Sequence, residues 1–521
     1  MSATGTADDN RSLTRLAGTI IIMVSVGLVA GRIALVTRLL EPALVRKATD
    51  PGFSPPWPSN RPEPTPFISS NDKSRWATVR ALTENGTFVV ARRNLPMVRA
   101  TALLPLFQTT WHGALASAGA AHRLRLAADS GFLFEEEAWR TVDRVLDPAT
   151  LEYYSSKPPL LPVLVAGLVK PLEPLLGWKI STHPFEVTRL VLVLVNLLPW
   201  WLYLVVFRDL LDRLPAGDGT RLVVLAAAGM GTLVHPFLIV FNNHNPGTFA
   251  VLFAMACLAR VWLAPAEKPA GALWHLLAGL CAGFAVTCEL PALSFAGLAG
   301  LALFLKAPGK AVAAFAPGVA VPMLALVACN VAALGRLRPA YAEFGGPWYM
   351  YEGSSWYDPG RLKRGIDWAR LNLGESVGAY AVHLTVGHHG LFSLTPFFLL
   401  AIPGAWMAHG ERKRDSRWGL LALLGHMAWI LTGVLLAFYL LKSDNYGGNS
   451  CGARWLQWLT PLLLVSALPA VDRLMSSRTG RWIVLFLLAV SVMSATAGSG
   501  NPWRRPWLYD GMKWFGWPGY E

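Results

Sequence analysis

The chain has 521 residues, of which 53% are hydrophobic and only 15% charged, with a mean hydropathy of +0.40. Soluble domains carry roughly 25% charged residues, so this composition excludes a water-soluble globular protein and requires lipid as solvent. The formal net charge of +14 fits short cytoplasmic loops and anionic headgroups; no basic stripe with interleaved aromatics supports nucleic-acid binding.

Residues 1–40 read as a cytoplasmic N-terminal segment with Arg11 and Arg15, followed by a first span over about 17–39 that lacks a small-residue cleavage site and so reads as an anchor. Residues 41–156 are too polar for lipid and form a large external loop. It opens on PGFSPPWPSNRPEPTP, an extended strap. The following KSRWATVRALTE (73–84) sets Trp76, Val79 and Leu82/Thr83 on one face and predicts an amphipathic helix lying at the membrane surface. After Lys157 comes an apolar stretch, 158–177, whose Pro158, Pro159, Pro162, Pro171 and Pro174 predict a broken segment rather than a clean span.

Further spans are expected at about 187–207, 222–241, 246–264, 272–288, 290–306, 311–333, 390–408, 418–441, 453–470 and 482–498. Residues 157–498 therefore form a multi-helix transmembrane domain, interrupted by an external loop at 334–389 and followed by an external aromatic tail, 499–521. The expected fold class is an all-α polytopic membrane protein with about 11 to 13 transmembrane helices and a large external loop carrying surface helices. Basic residues collect at the N-terminus, at 208–221, 306–310, 409–417 and 473–481. All five segments fall on one side if each run crosses once, and that side reads as cytoplasmic. The expected location is the cell (inner) membrane.

Candidate chemistry lies on the opposite side, where burying polar groups is costly without a role or a partner. Asp72 follows Asn71 where a helix cap would fall, so it is either a cap or a carboxylate poised as a general base. Arg75 and Arg80 are close enough to serve a phosphate, or they snorkel to headgroups. Lys157 is a compact cation presented by two prolines. In FNNHNPG (241–247), Asn242, Asn243, His244 and Asn245 crowd one turn and suggest a polar cavity lining, in which His244 would contact a donor phosphate or a carboxylate. Glu289 is a carboxylate in an apolar run, or else sits in a wet turn between two spans. Arg454 follows the glycine-rich NYGGNSCGA, which offers backbone N–H groups to an anion. His388 and His389 are adjacent and so a weak metal signal. The five cysteines form no CxxC pair and read as small core residues.

NDKSRWATVRALTENGTF (71–88) and YSSKPPLLPVLVAG (154–167), with HHGLFSLTPFFLL (388–400) and NYGGNSCGARWLQWLTPLLL (445–464), resemble the GT-C integral-membrane glycosyltransferases. The branch they are most similar to contains the protein O-mannosyltransferases and the lipid A aminoarabinose transferases. The resemblance implies transfer of a sugar from a polyprenyl-phosphate carrier to a lipid, glycan or protein acceptor at the non-cytoplasmic face, with inversion at the anomeric carbon. It implies a catalytic role for Asp72 and a place near the carrier phosphate for Lys157. Residues 95–137 read as an insertion between the two motif segments. A divalent metal could assist at the phosphate, although no ligand set is visible. The alternatives are a transporter or lipid flippase, for which paired broken helices in two similar halves are not visible, and a non-catalytic scaffold.

Overall fold

The computed structural model describes residues 4–36, 64–94, 129–356, 376–443 and 446–516. Most of the expected strap, and residues 95–128 of the expected insertion, lie outside the described residues. Helix makes up 71% of the structure, with almost no strand, so the protein is all-α. In chain order the elements used below are α1 (Thr4–Ala34), α2 (Ser70–Asn85), β1 (Ala91–Arg92), β2 (Arg144–Leu146) and β3 (Glu152–Ser155). Next come α3 (Leu160–Val169), α4 (Leu172–Leu176), α5 (Pro184–Arg213), α6 (Asp218–Met230), α7 (His244–Trp262) and α8 (Ala272–Cys288). The chain continues through α9 (Leu293–Lys306), α10 (Pro308–Leu334), α11 (Val377–Thr385), α12 (Ala401–Glu411), α13 (Ser416–Lys442), α14 (Arg454–Met475) and α15 (Arg478–Gly498).

Among the described residues, seven helices are long and apolar enough to cross a membrane: α1, α5, α7, α10, α13, α14 and α15. This is a multi-pass membrane protein. Helices α8 and α9 are shorter apolar helices. The two remaining predicted spans are helical but interrupted. Helix α6 stops at Gly231 and gives way to a tight turn at Pro236–Ile239, and a turn at Pro396–Leu400 precedes α12. The break at Pro396 falls next to a proline, which withholds the N–H a continuing helix needs.

The basic segments meet at one end of the bundle. Thr14 on α1 donates to Asp218 (3.4 Å), and Arg417 donates to the carbonyls of Arg213 (2.9 Å) and Leu214 (2.7 Å). Gly217 N–H and the Thr220 hydroxyl both donate to Asp472 at 2.8 Å. Lys310 reaches the Ala270 carbonyl (2.6 Å), and Arg260 lies 3.5 Å from Asp209.

Helices α8 and α10 approach through small residues. A Cβ at Gly283 would stand 2.5 Å from the Val319 carbonyl oxygen, and one at Gly318 would stand 2.6 Å from that of Leu276. Helix pairs in lipid associate by such close backbone packing, since hydrocarbon solvates apolar side chains as well as protein does. Gly283→Leu should therefore lower unfolding stability by about 1–3 kcal/mol through overpacking. Gly297→Leu on α9, where nothing lies within 4 Å of the added carbon, should be neutral. Thermal unfolding of the two variants in detergent checks the contrast.

At the other end, α2 and a three-stranded antiparallel sheet of order β1–β3–β2 build a cap over the bundle. Ser69 and Asp72 form a reciprocal capping box that starts α2, and Gly86 at φ 66° ends it. The helix is where the sequence places it, but its setting differs from the expected membrane surface. Twelve of its 16 residues are buried. The polar face that reads as solvent-facing is covered by the hairpin β2–β3 and by the start of α7, while Trp76 and Val79 join a core with Leu161, Val165 and Phe241.

The segment after Lys157 is broken, as its prolines predict. Helix α3 has 10 residues and α4 has five, so α3 reaches only about 15 Å, half of a bilayer core. Pro159 stands at its cap position and Pro162 in its first turn, so few N–H groups are left without acceptors there.

Candidate active site

The site is built where α2, the β2–β3 hairpin, the start of α7, the α8–α9 junction and the start of α14 meet. Helix α2 contributes Arg75, 3% exposed. Its Nη1 donates to the Asn71 carbonyl at 2.8 Å and to Asn71 Oδ1, and its Nη2 donates to Asn243 Oδ1. Asn243 Nδ2 in turn donates to the Cys288 carbonyl (2.6 Å) and to Glu289 Oε1 (2.8 Å). The same Glu289 oxygen meets His244 Nδ1, and His244 Nε2 lies 3.2 Å from Arg454 Nη1. An arginine only donates, so Nε2 is the acceptor and Nδ1 carries the proton toward the carboxylate. One hydrogen-bonded chain thus runs from Arg75 through Asn243, Glu289 and His244 to Arg454. Glu289 is 7% exposed, so of the two settings open to it in the sequence the structure has the buried one. Gly247 makes room for it: a Cβ there would meet Cys288 Cβ at 3.2 Å.

Lys157 enters from the hairpin. Its ammonium is 2.8 Å from Asp143 Oδ1. The register explains the meeting: Arg144 pairs with Ser155, so the residues just before β2 and just after β3 leave the sheet side by side. The turn is closed by Asp147, whose side chain accepts from Ala149 N–H at 2.8 Å. The Ser74 hydroxyl on α2 bonds the Asp143 carbonyl and lies 2.6 Å from the Ser155 hydroxyl, locking the hairpin onto the helix that carries Arg75. The segment before residue 356 covers the hairpin: Trp356 Nε1 donates to the Val142 carbonyl (2.8 Å), and the Tyr351 hydroxyl to that of Arg144 (3.3 Å).

Arg75, Lys157 and Arg454 share one electrostatic field. Burial, reinforced by the Arg454 charge, pushes the Arg75 guanidinium down to about 10, against the pull of Asp143 and Glu289. Burial also pushes the Lys157 ammonium below the usual lysine value; Asp143 resists, and Arg75 and Arg454 add to the shift. Neither arginine is ion-paired to a carboxylate among the described residues. The partners of Arg75 are amides and a carbonyl; those of Arg454 are an imidazole and the face of Trp503, 4.6 Å from its guanidinium carbon. The Arg454 Nε is buried and has no acceptor among the described residues.

The depressed Lys157 value carries a pH prediction. Between the folded value and the ordinary 10.5, the unfolded chain holds the extra proton, so this group makes stability rise with pH while the cation that would hold an anion is lost. Affinity for a phosphate ligand should fall as pH rises toward 10.5, and Lys157→Arg should remove the Lys157 share of that alkaline limb, leaving the part that Arg75 sets at about 10.

The other sequence candidates fall outside this cluster. Asp72 is buried, and both its oxygens are used. Oδ1 accepts from Ser69 N–H (2.9 Å) and the Ser69 hydroxyl (3.2 Å), and Oδ2 accepts from Ile68 N–H (3.0 Å). Burial pushes its carboxyl up, with those N–H groups pulling against it. Arg80 faces away, held by both Glu136 oxygens (2.7 and 2.8 Å) and by Glu84 (3.2 Å). Asn242 fastens the turn before α7 to the carbonyls of Phe237 (2.8 Å) and Val240 (2.9 Å), and Asn245 accepts from Gln457. His388 and His389 touch through their Nδ1 atoms beside Tyr446, apart from the chain above. Among the described residues no three His, Cys, Asp or Glu side chains come together in a way that could hold a metal ion. Asp143 and Asn71 are additions that the sequence reading missed. The signal for Asp143 was the pattern RVL-DPAT-LEYYS, two strand-like runs about a proline turn. Pairing them brings residue 143 alongside the residues that lead into Lys157.

No family model matches the chain, and no curated protein matches it. Among solved structures it is similar to the oligosaccharyltransferase of Archaeoglobus fulgidus in the apo form, at 10% identity over 96% of this chain and 58% of that one, with a TM-score of 0.45. The same archaeal enzyme, AglB, in complex with an inhibitory peptide and a dolichol-phosphate gives 11% identity over 97% and 58%, with a TM-score of 0.44. ArnT from Cupriavidus metallidurans bound to undecaprenyl phosphate gives 13% identity over 96% and 76%, with a TM-score of 0.40. Both proteins are GT-C glycosyltransferases. The chain spans 58% of the length of the archaeal enzyme.

Proposed function

We propose that this protein transfers a sugar from a polyprenyl-phosphate carrier to an acceptor, with inversion, at the membrane face away from its basic loops. The observation that carries the reading is the pair of buried guanidiniums, Arg75 and Arg454, which among the described residues hydrogen-bond neutral partners and feel each other's charge. Buried like charges are costly unless an anion joins them, and a phosphate accepts from several arginine donors at once. The KPPL resemblance supplies the kind of anion, a carrier phosphate arriving from the bilayer.

The chemistry follows from charge development. As the bond between the anomeric carbon and the phosphate oxygen lengthens, the sugar gains positive charge and the phosphate gains negative charge. Arg75, Arg454 and Lys157 stabilise that phosphate in a pocket where little water screens them. Asp143, oriented by Lys157, takes the proton of the incoming hydroxyl or amine. Asp72 holds the first turn of the helix that presents Arg75. The non-cytoplasmic face is the proposed side, since all the basic segments gather at the opposite end.

Incubating purified protein with a pool of polyprenyl-phosphate sugars and membrane-derived acceptors tests the reading. Sugar should leave the carrier and appear on acceptor with inverted anomeric configuration. Carrier that moves between leaflets of a proteoliposome with its sugar intact, and no transfer, would overturn the reading in favour of a flippase.

A further inference from the structure

A second polar feature lies at the far end of α7. This helix has 19 residues, about 28 Å, so His244 at its start and Arg260 in its last turn stand at opposite edges of a bilayer core of about 30 Å. At the Arg260 end is an open cleft of about 400 Å³, lined by Arg213, Arg260, Lys268, Trp274 and the loop residues Leu263, Ala264 and 269–271. This is within the size range of small-molecule sites, about 300–1,000 Å³.

The lining residues include three cations, and Glu267 precedes Lys268 in the same loop. Asp209 offsets part of that charge, 2.9 Å from Arg213 and 3.5 Å from Arg260. The Arg260 guanidinium carbon lies 4.7 Å over the Trp274 ring, which fixes its plane toward the cleft. Lys310, bonded to the Ala270 carbonyl at 2.6 Å, adds positive charge to the loop's other edge. Two of the cations sit at helix C-termini, where the backbone alone would favour them; that does not account for Lys268 or for the cleft they line. The tryptophans Trp262 and Trp274, half-buried, mark this level as the interface. Leu273 is 60% exposed beside the cleft, an apolar surface suited to acyl chains.

We propose that this cleft binds the phosphate headgroup of an anionic phospholipid in the leaflet at the basic end of the bundle. A soluble anion would share the phosphate chemistry. The position at the ends of two membrane-spanning helices and the exposed leucine favour the lipid. This site is separate from the glycosyl-transfer reading and does not depend on it.

Delipidated protein is mixed with phosphatidylglycerol or phosphatidylcholine of matched chains, and retained lipid is measured by native mass spectrometry. Wild type should retain phosphatidylglycerol at least about tenfold better. Lys268→Gln, on an exposed loop position that leaves the helices intact, should weaken retention about fivefold. The double variant Arg260→Gln/Lys268→Gln should weaken it about twentyfold or more. Excess inorganic phosphate should not displace the lipid. Equal retention of the two lipids overturns the proposal, as does retention unchanged in both variants. Full displacement by phosphate assigns the cleft to a soluble anion and overturns it too.

Discussion

Asp143→Asn is expected to lower sugar transfer by about 10²–10⁴, the usual range for losing a positioned base, with donor affinity nearly unchanged. The amide keeps the size of the carboxylate, and its oxygen can still accept from Lys157, 2.8 Å away in the wild type. What is lost is the capacity to take a proton. Asp72→Asn is the companion. Its oxygens serve Ser69 and Ile68, so its loss should cost about 0.5–2 kcal/mol of stability, as caps do, and change turnover only severalfold. Transfer rates and thermal unfolding are measured for both. A folded Asp72→Asn protein without transfer, beside an active Asp143→Asn protein, would return the base to Asp72.

Arg75→Gln should have two effects of opposite sign. Affinity for polyprenyl phosphate should fall at least about thirtyfold, the scale of breaking a buried charged contact. Ligand-free stability should hold or rise, because Arg75 and Arg454 repel each other and glutamine can still donate to Asn243. Polyprenyl phosphate should raise the wild-type melting temperature through binding to the folded state and leave that of the variant unmoved. A variant that is less stable and still lipid-responsive would show Arg75 to be structural.

Most spans were legible because a bilayer imposes a length on apolar runs: seven of the eleven predicted runs are helices long and apolar enough to cross, two are shorter apolar helices and two are interrupted. The break after Lys157 was legible because proline acts locally. The cap at Asp72 was legible as one of two roles; the contacts to Ser69 and Ile68 show the capping one, and the Asp72→Asn measurement tests the other. Asp143 was not legible, because its meaning lies in a partner that strand pairing brings to it, and short strands leave a weak periodic trace. Arg80 misled for a similar reason: its partner Glu136 is 56 residues away, across a stretch that reads as an insertion. The buried setting of α2 was hidden because its polar face is satisfied by other protein rather than by water.

The chain of contacts from Arg75 to Arg454 also constrains biogenesis. Its members come from α2, the start of α7, the α8–α9 junction and the start of α14, and Arg454 is the last of them to leave the ribosome. Until α14 is inserted, the His244–Glu289 pair has no guanidinium on one side, and the Gln457 donor to Asn245 is missing as well. Every earlier helix must therefore reside in the membrane with this pocket still wet and incomplete. A nascent chain arrested before residue 454 should expose the pocket to water-soluble labelling reagents, and release of the full chain should close it.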